Sequence, residues 1–416
     1  MTAAGFYGDD FTGSVDALVQ FRRAGCDGVL VTSPDGVKGA LGGDPDVVGI
    51  AGVARSLPAA DLEAEVRPAL ELLRDLRVSV VQYKACSTAD SSPAVGSLGR
   101  VVEIARDVFG PATVPALFAQ PDFGRYTFFG HHFARDGERV HRLDRQPTMS
   151  RHPVTPMTEA DLARHLGAQT TLPIGSLHWT AYAGGADAVA RAWRETDAAA
   201  VVCDGFTDEH LELIGRAVLA PAGGDRQSFV LGAGGLSLGI GRALGRTAPP
   251  PPAAAAPSPG PTLVLSGSGS PRTAAQVAAA ERAGWASVHL LAPGAGDEAV
   301  ARHAEGAGVV VHTTRPGPGT ATSTEIEGRL ARIGAACLAR DPRTRLVVCG
   351  GDTSGNVLRR LGVDALAVTA LPWGNVALCH ASGAPYARPV EVVLKGGQQG
   401  HDDLFDDVRT ARPRRL

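Results

Sequence analysis

Leu346-Val347-Val348-Cys349-Gly350-Gly351-Asp352-Thr353-Ser354-Gly355 reads as a buried strand that ends in a phosphate cradle. The β-branched run carries the backbone up through a sheet. The paired glycines then let it turn with no Cβ in the way, and small hydroxyl residues open a helix. Anions bind at such helix starts because unpaired N–H groups and the helix macrodipole both point there. A distant partner near the other end of the chain, Tyr7-Gly8-Asp9-Asp10-Phe11-Thr12-Gly13-Ser14, supplies carboxylates where the first segment supplies donors.

Outward from these two segments, short apolar runs alternate with helical patterns. Strands are expected at 4–7, 28–31, 47–51 and 78–84, and helices at 17–23 and 62–76. In the second half the strands are expected at 262–265, 287–291, 308–312 and 346–348, and the helices at 274–283, 323–339 and 357–361. Strict alternation argues for an α/β fold with largely parallel sheets built from βαβ units. The segment Ala248 to Pro261, APPPPAAAAPSPGP, reads as a semi-rigid spacer between an N-terminal domain, 1–247, and a C-terminal domain, 262–416. In open α/β sheets the ligand sits beyond the carboxyl ends of the strands. The loops at Gly8, Cys86, Ser266 and Cys349 all follow expected strands.

The outer bounds agree. A chain of 416 residues exceeds the size of one growing core. With 44% apolar and 20% charged residues it reads as globular. A net charge of −3 argues against a nucleic-acid footprint, so small acidic ligands must be captured by local basic groups. The six cysteines lie far apart with no CxxC pair, which suggests neither a zinc site nor a disulfide framework. Without a leader pattern or an apolar run of about eighteen residues, the expected compartment is the cytoplasm.

Several groups could carry chemistry. Asp9 and Asp10 fit a general base or hydroxyl ligand with an orienter beside it, and fit equally an N-cap before Thr12 and Ser14. Lys84 ends a strand beside the hydroxyl-rich Cys86-Ser87-Thr88, as capture of a sugar acid would require, although an exposed lysine on a solvated loop has the same pattern. The proline-rich stretch Arg142 to Met157 can be neither helix nor central strand. It reads as a rigid loop bearing Arg145, Arg151 and His152, either an anion clamp or a charged surface connection. Ser266-Gly267-Ser268-Gly269-Ser270 precedes Pro271 and a helix, and Lys395-Gly396-Gly397 follows a strand. No Walker A string or complete GxGxxG stands at these turns.

In this order the motifs resemble the four-carbon acid sugar kinase family. The matching pieces are Gly8-Asp9-Asp10-Phe11-Thr12-Gly13, Tyr83-Lys84 with Ser87-Thr88, His152-Pro153-Val154-Thr155-Pro156-Met157, Ser266-Gly267-Ser268, Gly350 to Gly355 and Leu394-Lys395-Gly396-Gly397. The resemblance implies an N-terminal sugar-acid domain, a C-terminal nucleotide domain and an active site in the cleft between them. It implies ATP-dependent phosphorylation of a sugar-acid hydroxyl, with Mg²⁺. Asp10, Asp9 and Lys84 would be catalytic, with Asp10 the leading base. Thr12, Ser87, Thr88, Arg145, Arg151 and His152 would bind the acid. Ser266, Gly267, Ser268, Gly350, Gly351, Asp352, Thr353, Ser354, Gly355, Lys395, Gly396 and Gly397 would bind the nucleotide, with Asp352 toward the metal.

One departure bears on the substrate. Members of the family follow the lysine with a loop containing an arginine and a glycine, whereas this chain has Ala85-Cys86-Ser87-Thr88-Ala89-Asp90-Ser91-Ser92-Pro93. That is similar to a subgroup that includes 3-oxo-isoapionate kinase, which sets a branched or oxidised acid beside tetronates and 3-oxo-tetronates. The competing readings are a sugar-acid lyase or aldolase with Lys84 as Schiff base, and a non-catalytic sugar-acid-binding protein. The expected partner is a small sugar acid, with no nucleic acid and no membrane, and with a homodimer as the open alternative to a single chain.

Overall fold

The computed structural model describes residues 2–220, 227–314 and 319–413, with the side chain of Asp352 outside the described set. The chain divides into two compact units, 1–28 with 33–250, and 29–32 with 251–416.

In unit one the strands are β1 (Ala4–Gly8), β3 (Val47–Ala51), β4 (Val80–Lys84), β5 (Val114–Leu117), β9 (Ile174–Leu177), β10 (Ala200–Cys203) and β11 (Ser228–Gly232). They pair in the order β3-β1-β4-β11-β5-β10-β9, and every pairing is parallel. β1, β3 and β4 are buried along their whole length, as a parallel sheet covered on both faces requires. Each fully buried valine, isoleucine or phenylalanine here contributes about 1.5–3 kcal/mol. A small antiparallel sheet, β6 (Arg125–Phe128), β7 (His131–Asp136) and β8 (Arg139–Arg142), stands apart from the parallel one.

Unit two holds β12 (Thr262–Ser266), β13 (Ala286–His289), β14 (Val309–His312), β15 (Arg345–Cys349), β16 (Ala365–Trp373), β17 (Val376–Ser382) and β18 (Val390–Lys395). The order is β13-β14-β12-β15-β18-β17-β16, parallel as far as β18 and antiparallel beyond it. β16 alternates between buried and half-buried residues, the pattern of an antiparallel strand with one wetter face. Val264, Val277, Trp285, Val347, Trp373 and Phe405 share one core beneath this sheet.

The division differs from the expected one in two places. β2 (Gly28–Val31), read as part of the N-terminal sheet, pairs antiparallel with β16 through Leu30 and Val31, so 29–32 belong to unit two. Thr32 fixes the graft: its N–H donates to Asp364 O at 3.0 Å, its Oγ1 to Val363 O at 2.8 Å, and Arg359 Nε donates to its carbonyl at 2.9 Å. The expected semi-rigid spacer 248–261 is divided between the units after Pro250 and is hydrogen-bonded into each. Ala248 N–H donates to Gly25 O within unit one, while Leu371 N–H donates to Pro252 O and Arg345 Nη2 to Ala256 O within unit two.

Candidate functional site

In unit one, β1 delivers the two aspartates. Asp9 N–H donates to Lys84 O at 3.0 Å, and Arg55 N–H donates to Asp9 O at 3.0 Å, so the segments that follow β1, β3 and β4 are tied at one level. Asp10 caps the helix Phe11–Arg23: its Oδ1 accepts the Gly13 N–H at 2.7 Å, and Ser14 Oγ donates to its carbonyl at 2.6 Å.

The central cation of this cluster is Arg55, which reading the sequence did not single out. Its Nη2 lies 2.6 Å from Asp9 Oδ1 and 2.9 Å from Asp10 Oδ1. Its Nε lies 3.1 Å from Asp9 Oδ2, and its Nη1 2.8 Å from Asp10 Oδ2. One guanidinium therefore spans two carboxylates that are 1% and 7% exposed. Burial pushes the Asp9 carboxyl up from its ordinary value, Arg55 opposes the rise and Asp10 adds to it. Burial alone would depress the Arg55 guanidinium, but the two carboxylates outweigh it and hold it well above its usual range.

Lys84 is buried beside them. Its Nζ lies 3.3 Å from Asp16 Oδ2 and donates to Ala85 O at 3.1 Å. Asp16, also not anticipated, accepts at Oδ1 from Gln120 Nε2 at 3.1 Å. A Cβ on Gly13 would stand 2.3 Å from Asp10 Oδ1 and 3.3 Å from both Arg55 Nη2 and Lys84 Nζ. The two cations thus flank Asp10 across a space that only glycine leaves open. Next to the cap, Thr12 Oγ1 is buried and has no hydrogen-bond partner among the described residues.

The loop after Lys84 is held from behind by His132 of β7. The imidazole is fully buried, with Nε2 2.8 Å from Ser87 O and Nδ1 2.9 Å from Thr127 Oγ1. A carbonyl can only accept, so Nε2 carries the proton and Nδ1 accepts from the Thr127 hydroxyl. Burial, assisted by the nearby Arg125, brings the imidazole down to about 3 from 6.5, so the ring is neutral. Thr88 Oγ1 completes the loop with contacts to Cys86 Sγ at 3.0 Å and Asp90 Oδ1 at 3.2 Å.

This histidine predicts a pH effect. The unfolded ring takes up a proton below its ordinary 6.5 while the folded ring stays neutral to about 3. Stability attributable to His132 is therefore complete above that ordinary value and falls as pH drops, by up to about 1.4 kcal/mol per pH unit. His132→Gln, whose Nε2 can still donate to Ser87 O, is expected to flatten the acid limb of thermal stability. An unchanged acid limb would exclude His132 as its source.

The other cationic loop is braced by its own hydrogen bonds. Arg145 and Arg151 are exposed and form no ion pair among the described residues. His152 Nδ1 accepts from Thr155 N–H at 3.1 Å and lies 2.8 Å from Thr155 Oγ1, and Met157 N–H donates to Met149 O at 2.9 Å. Among the described residues no hydrogen bond or ion pair links this loop to Asp9, Asp10 or Lys84.

In unit two, three loops at strand carboxyl ends converge. A Cβ on Gly267 would stand 2.8 Å from Thr353 Oγ1, and one on Gly397 would stand 3.1 Å from Ser268 Oγ. Gly350 has φ +116° and ψ 141°, a backbone region open essentially to glycine alone, and a Cβ there would meet Thr353. It lets the chain pass from β15 into the helix Gly351–Arg360 with no side chain over the first turn. Ser354 Oγ donates back to Gly350 O at 2.5 Å, and Ser266 Oγ accepts from Ser268 N–H at 3.4 Å. Gly355 lies within that helix, and Gly396 N–H donates to Gln399 Oε1 at 2.7 Å. The Lys395 ammonium is turned inward, to Thr273, Gln276 and Gly397. Among the described residues no three carboxylate, imidazole or thiolate groups converge as a metal cage.

Residues 4–240 match a family described as a sugar-binding N-terminal domain, and residues 263–405 match one described as a nucleotide-binding C-terminal domain. The chain is 36% identical to a 3-oxo-isoapionate kinase of Paraburkholderia graminis, over 98% of this chain and 94% of that protein. It is 33% identical to a 3-oxo-tetronate kinase of Pseudomonas fluorescens, over 96% and 95%. Its fold is that of a Haemophilus influenzae protein solved by crystallography, with a TM-score of 0.74 at 23% identity over 97% and 99% of the two chains.

Proposed function

Because this chain belongs to the four-carbon acid sugar kinase family, we propose that it transfers the γ-phosphoryl group of ATP to a hydroxyl of a small 3-oxo sugar acid. The observation that carries this reading is the likeness to sugar-acid kinases over nearly the whole chain, with the motif residues of both units at strand carboxyl ends. Between the branched 3-oxo-isoapionate type and the linear 3-oxo-tetronate type, we favour the branched acid, in keeping with the Ser87 loop.

Phosphoryl transfer asks the protein mainly for alignment and electrostatic stabilisation. Asp10 is the residue to orient the attacking hydroxyl and take its proton, being the more exposed of the two carboxylates and fixed by Gly13 and Arg55. Arg55, itself anchored by Asp9, holds it in place. Lys84, already paired with Asp16, is a local positive charge beside Asp10 rather than a free carboxylate receptor. Thr12, Ser87 and Thr88 suit the hydroxyls of the acid. Its carboxylate suits Arg145, Arg151 and His152, the first two being cations with no ion pair of their own among the described residues.

The nucleotide phosphates suit Ser266, Gly267, Ser268, Gly350 to Gly355, Gly396 and Gly397, where close backbone approach and a helix start coincide. Mg²⁺ is usually held by substrate phosphates, waters and one or two carboxylates. The metal role expected of Asp352 falls on a side chain outside the described residues. Among the described residues no helix is long and apolar enough to cross a membrane, and we assign the enzyme to the cytoplasm, where its free cysteines would stay reduced.

A Schiff-base lyase would need Lys84 to leave its ion pair with Asp16 and attack as a neutral amine. A panel of 3-oxo and reduced sugar acids, branched and linear, assayed for ATP consumption tests the reading. Consumption with the branched 3-oxo acid in excess of the linear one is expected. A stronger response to reduced tetronates would overturn the substrate assignment.

A further inference from the structure

We propose that Lys395 is a positioning residue, a buried strut that sets the spacing of the glycine loops, and not a ligand of the nucleotide. The proposal rests on the reading of unit two as the nucleotide site. A lysine at a strand end beside paired glycines would ordinarily be taken for a phosphate ligand. The geometry points elsewhere.

Lys395 is 0% exposed, and an ammonium group has three protons to give. Nζ gives them to Thr273 Oγ1 at 2.8 Å, Gln276 Oε1 at 2.7 Å and Gly397 O at 3.3 Å. A phosphate ligand must keep at least one N–H for the anion, and none is left here. Thr273 and Gln276 are themselves fully buried and stand one turn apart near the start of the helix Pro271–Arg282. Gly397 lies in the loop that the lysine opens. The ammonium therefore locks the end of β18 to the helix that follows the Ser266 to Ser270 loop.

The acceptors pass the constraint on. Thr273 Oγ1 receives the lysine proton and keeps its own for Ser268 Oγ or Gly397 O, each at 3.2 Å. Gln276 Nε2 donates to Gln399 O at 3.0 Å and His401 O at 2.9 Å, which turns its Oε1 toward the lysine. Ser268 and Gly397, the two positions that nearly touch, are thereby held by one node. Among the described residues no carboxylate pairs with the ammonium, and burial lowers its pKa. Its three hydrogen bonds are the protein's compensation for burying that charge.

The test is a double-mutant cycle in the full-length chain, read as KM for ATP and KM for the sugar acid. Thr273→Val removes an acceptor of the lysine without touching its charge, and is expected to raise KM for ATP about tenfold. Thr273→Ser, which keeps the hydroxyl, should stay near wild type. Lys395→Met should raise KM for ATP by at least as much, with KM for the acid within about twofold. The double variant should then be no worse than Lys395→Met alone, because both changes open one node. Additive effects would overturn the strut and return Lys395 to the phosphates, as would normal ATP binding in Thr273→Val. If Lys395→Met does not fold, Thr273→Val against Thr273→Ser decides the matter alone. Failure of the wild-type chain to bind ATP in calorimetry would instead remove the nucleotide site itself, a result distinct from additivity.

Discussion

Asp10→Asn is expected to lower kcat by about 10²–10⁴, the range that general-base assistance supplies, while KM for ATP barely moves. Its geometry sharpens the expectation. Asp10 Oδ1 must go on accepting the Gly13 N–H, so the new amide nitrogen would face Arg55 Nη1, donor against donor. The variant therefore also gives up one charge-assisted hydrogen bond, and thermal stability should fall by roughly 1.5–3 kcal/mol. A loose transition state demands little early proton removal, so a loss at the lower end would point to orientation of the hydroxyl rather than its deprotonation. Steady-state kinetics on the preferred acid, with circular dichroism to establish folding, make the measurement. Near-normal kcat and KM in folded protein would exclude Asp10 and make Asp9 the residue to test.

Arg55→Met should be strongly destabilising. It leaves two adjacent carboxylates, 1% and 7% exposed, without their shared cation. Removing one partner of a buried ion pair costs about 3–5 kcal/mol, and the lower end applies because the Arg55 side chain keeps 24% of its exposure. The loss has a defined pH dependence. Asp9 is already raised by burial, so the folded state holds a proton there more readily than the unfolded chain, and stability falls as pH rises through that window. Without Arg55, which opposes the rise, the window extends upward. The deficit against wild type should therefore be smaller near about pH 4.5 than near about pH 8. Melting curves at the two values check it, and a deficit that is independent of pH would mean that Arg55 does not stabilise the charged carboxylates.

How much of this could be read from the sequence depends on the range of the interaction. β1, β3 and β15 are legible because a strand buried on both faces is a continuous apolar run. The loops that follow them are legible because helix starts and tight turns need small residues. β2 is legible as a strand but not as a member of unit two, since Gly28-Val29-Leu30-Val31 would fit either sheet and the pairing with Ala365 and Leu366 is set by topology. The hairpin of β16 and β17 escaped notice because Ala365, Ala367 and Ala370 dilute its alternation.

Within the site, adjacent Asp9 and Asp10 announce themselves, while Arg55 and Asp16 do not. Arg55 does carry a signal: it follows β3 by a few residues, at the same carboxyl end that drew attention to the other loops. Asp16 lies inside a helix, and only the fold shows that its carboxylate meets Lys84. His132 acts through the backbone carbonyl of Ser87, a contact that no spacing encodes.

The reaction assigned to this chain is phosphoryl transfer from ATP to a sugar acid. Its most direct test is a single-turnover reaction of the full-length protein with ATP labelled at the γ-phosphate, Mg²⁺ and a branched 3-oxo sugar acid, with every labelled species separated. The expected result is label in an intact, phosphorylated acid, formed by wild type and formed about 10²–10⁴-fold more slowly by Asp10→Asn. Label found only in ATP and inorganic phosphate, or an acid cleaved without ATP, would contradict it.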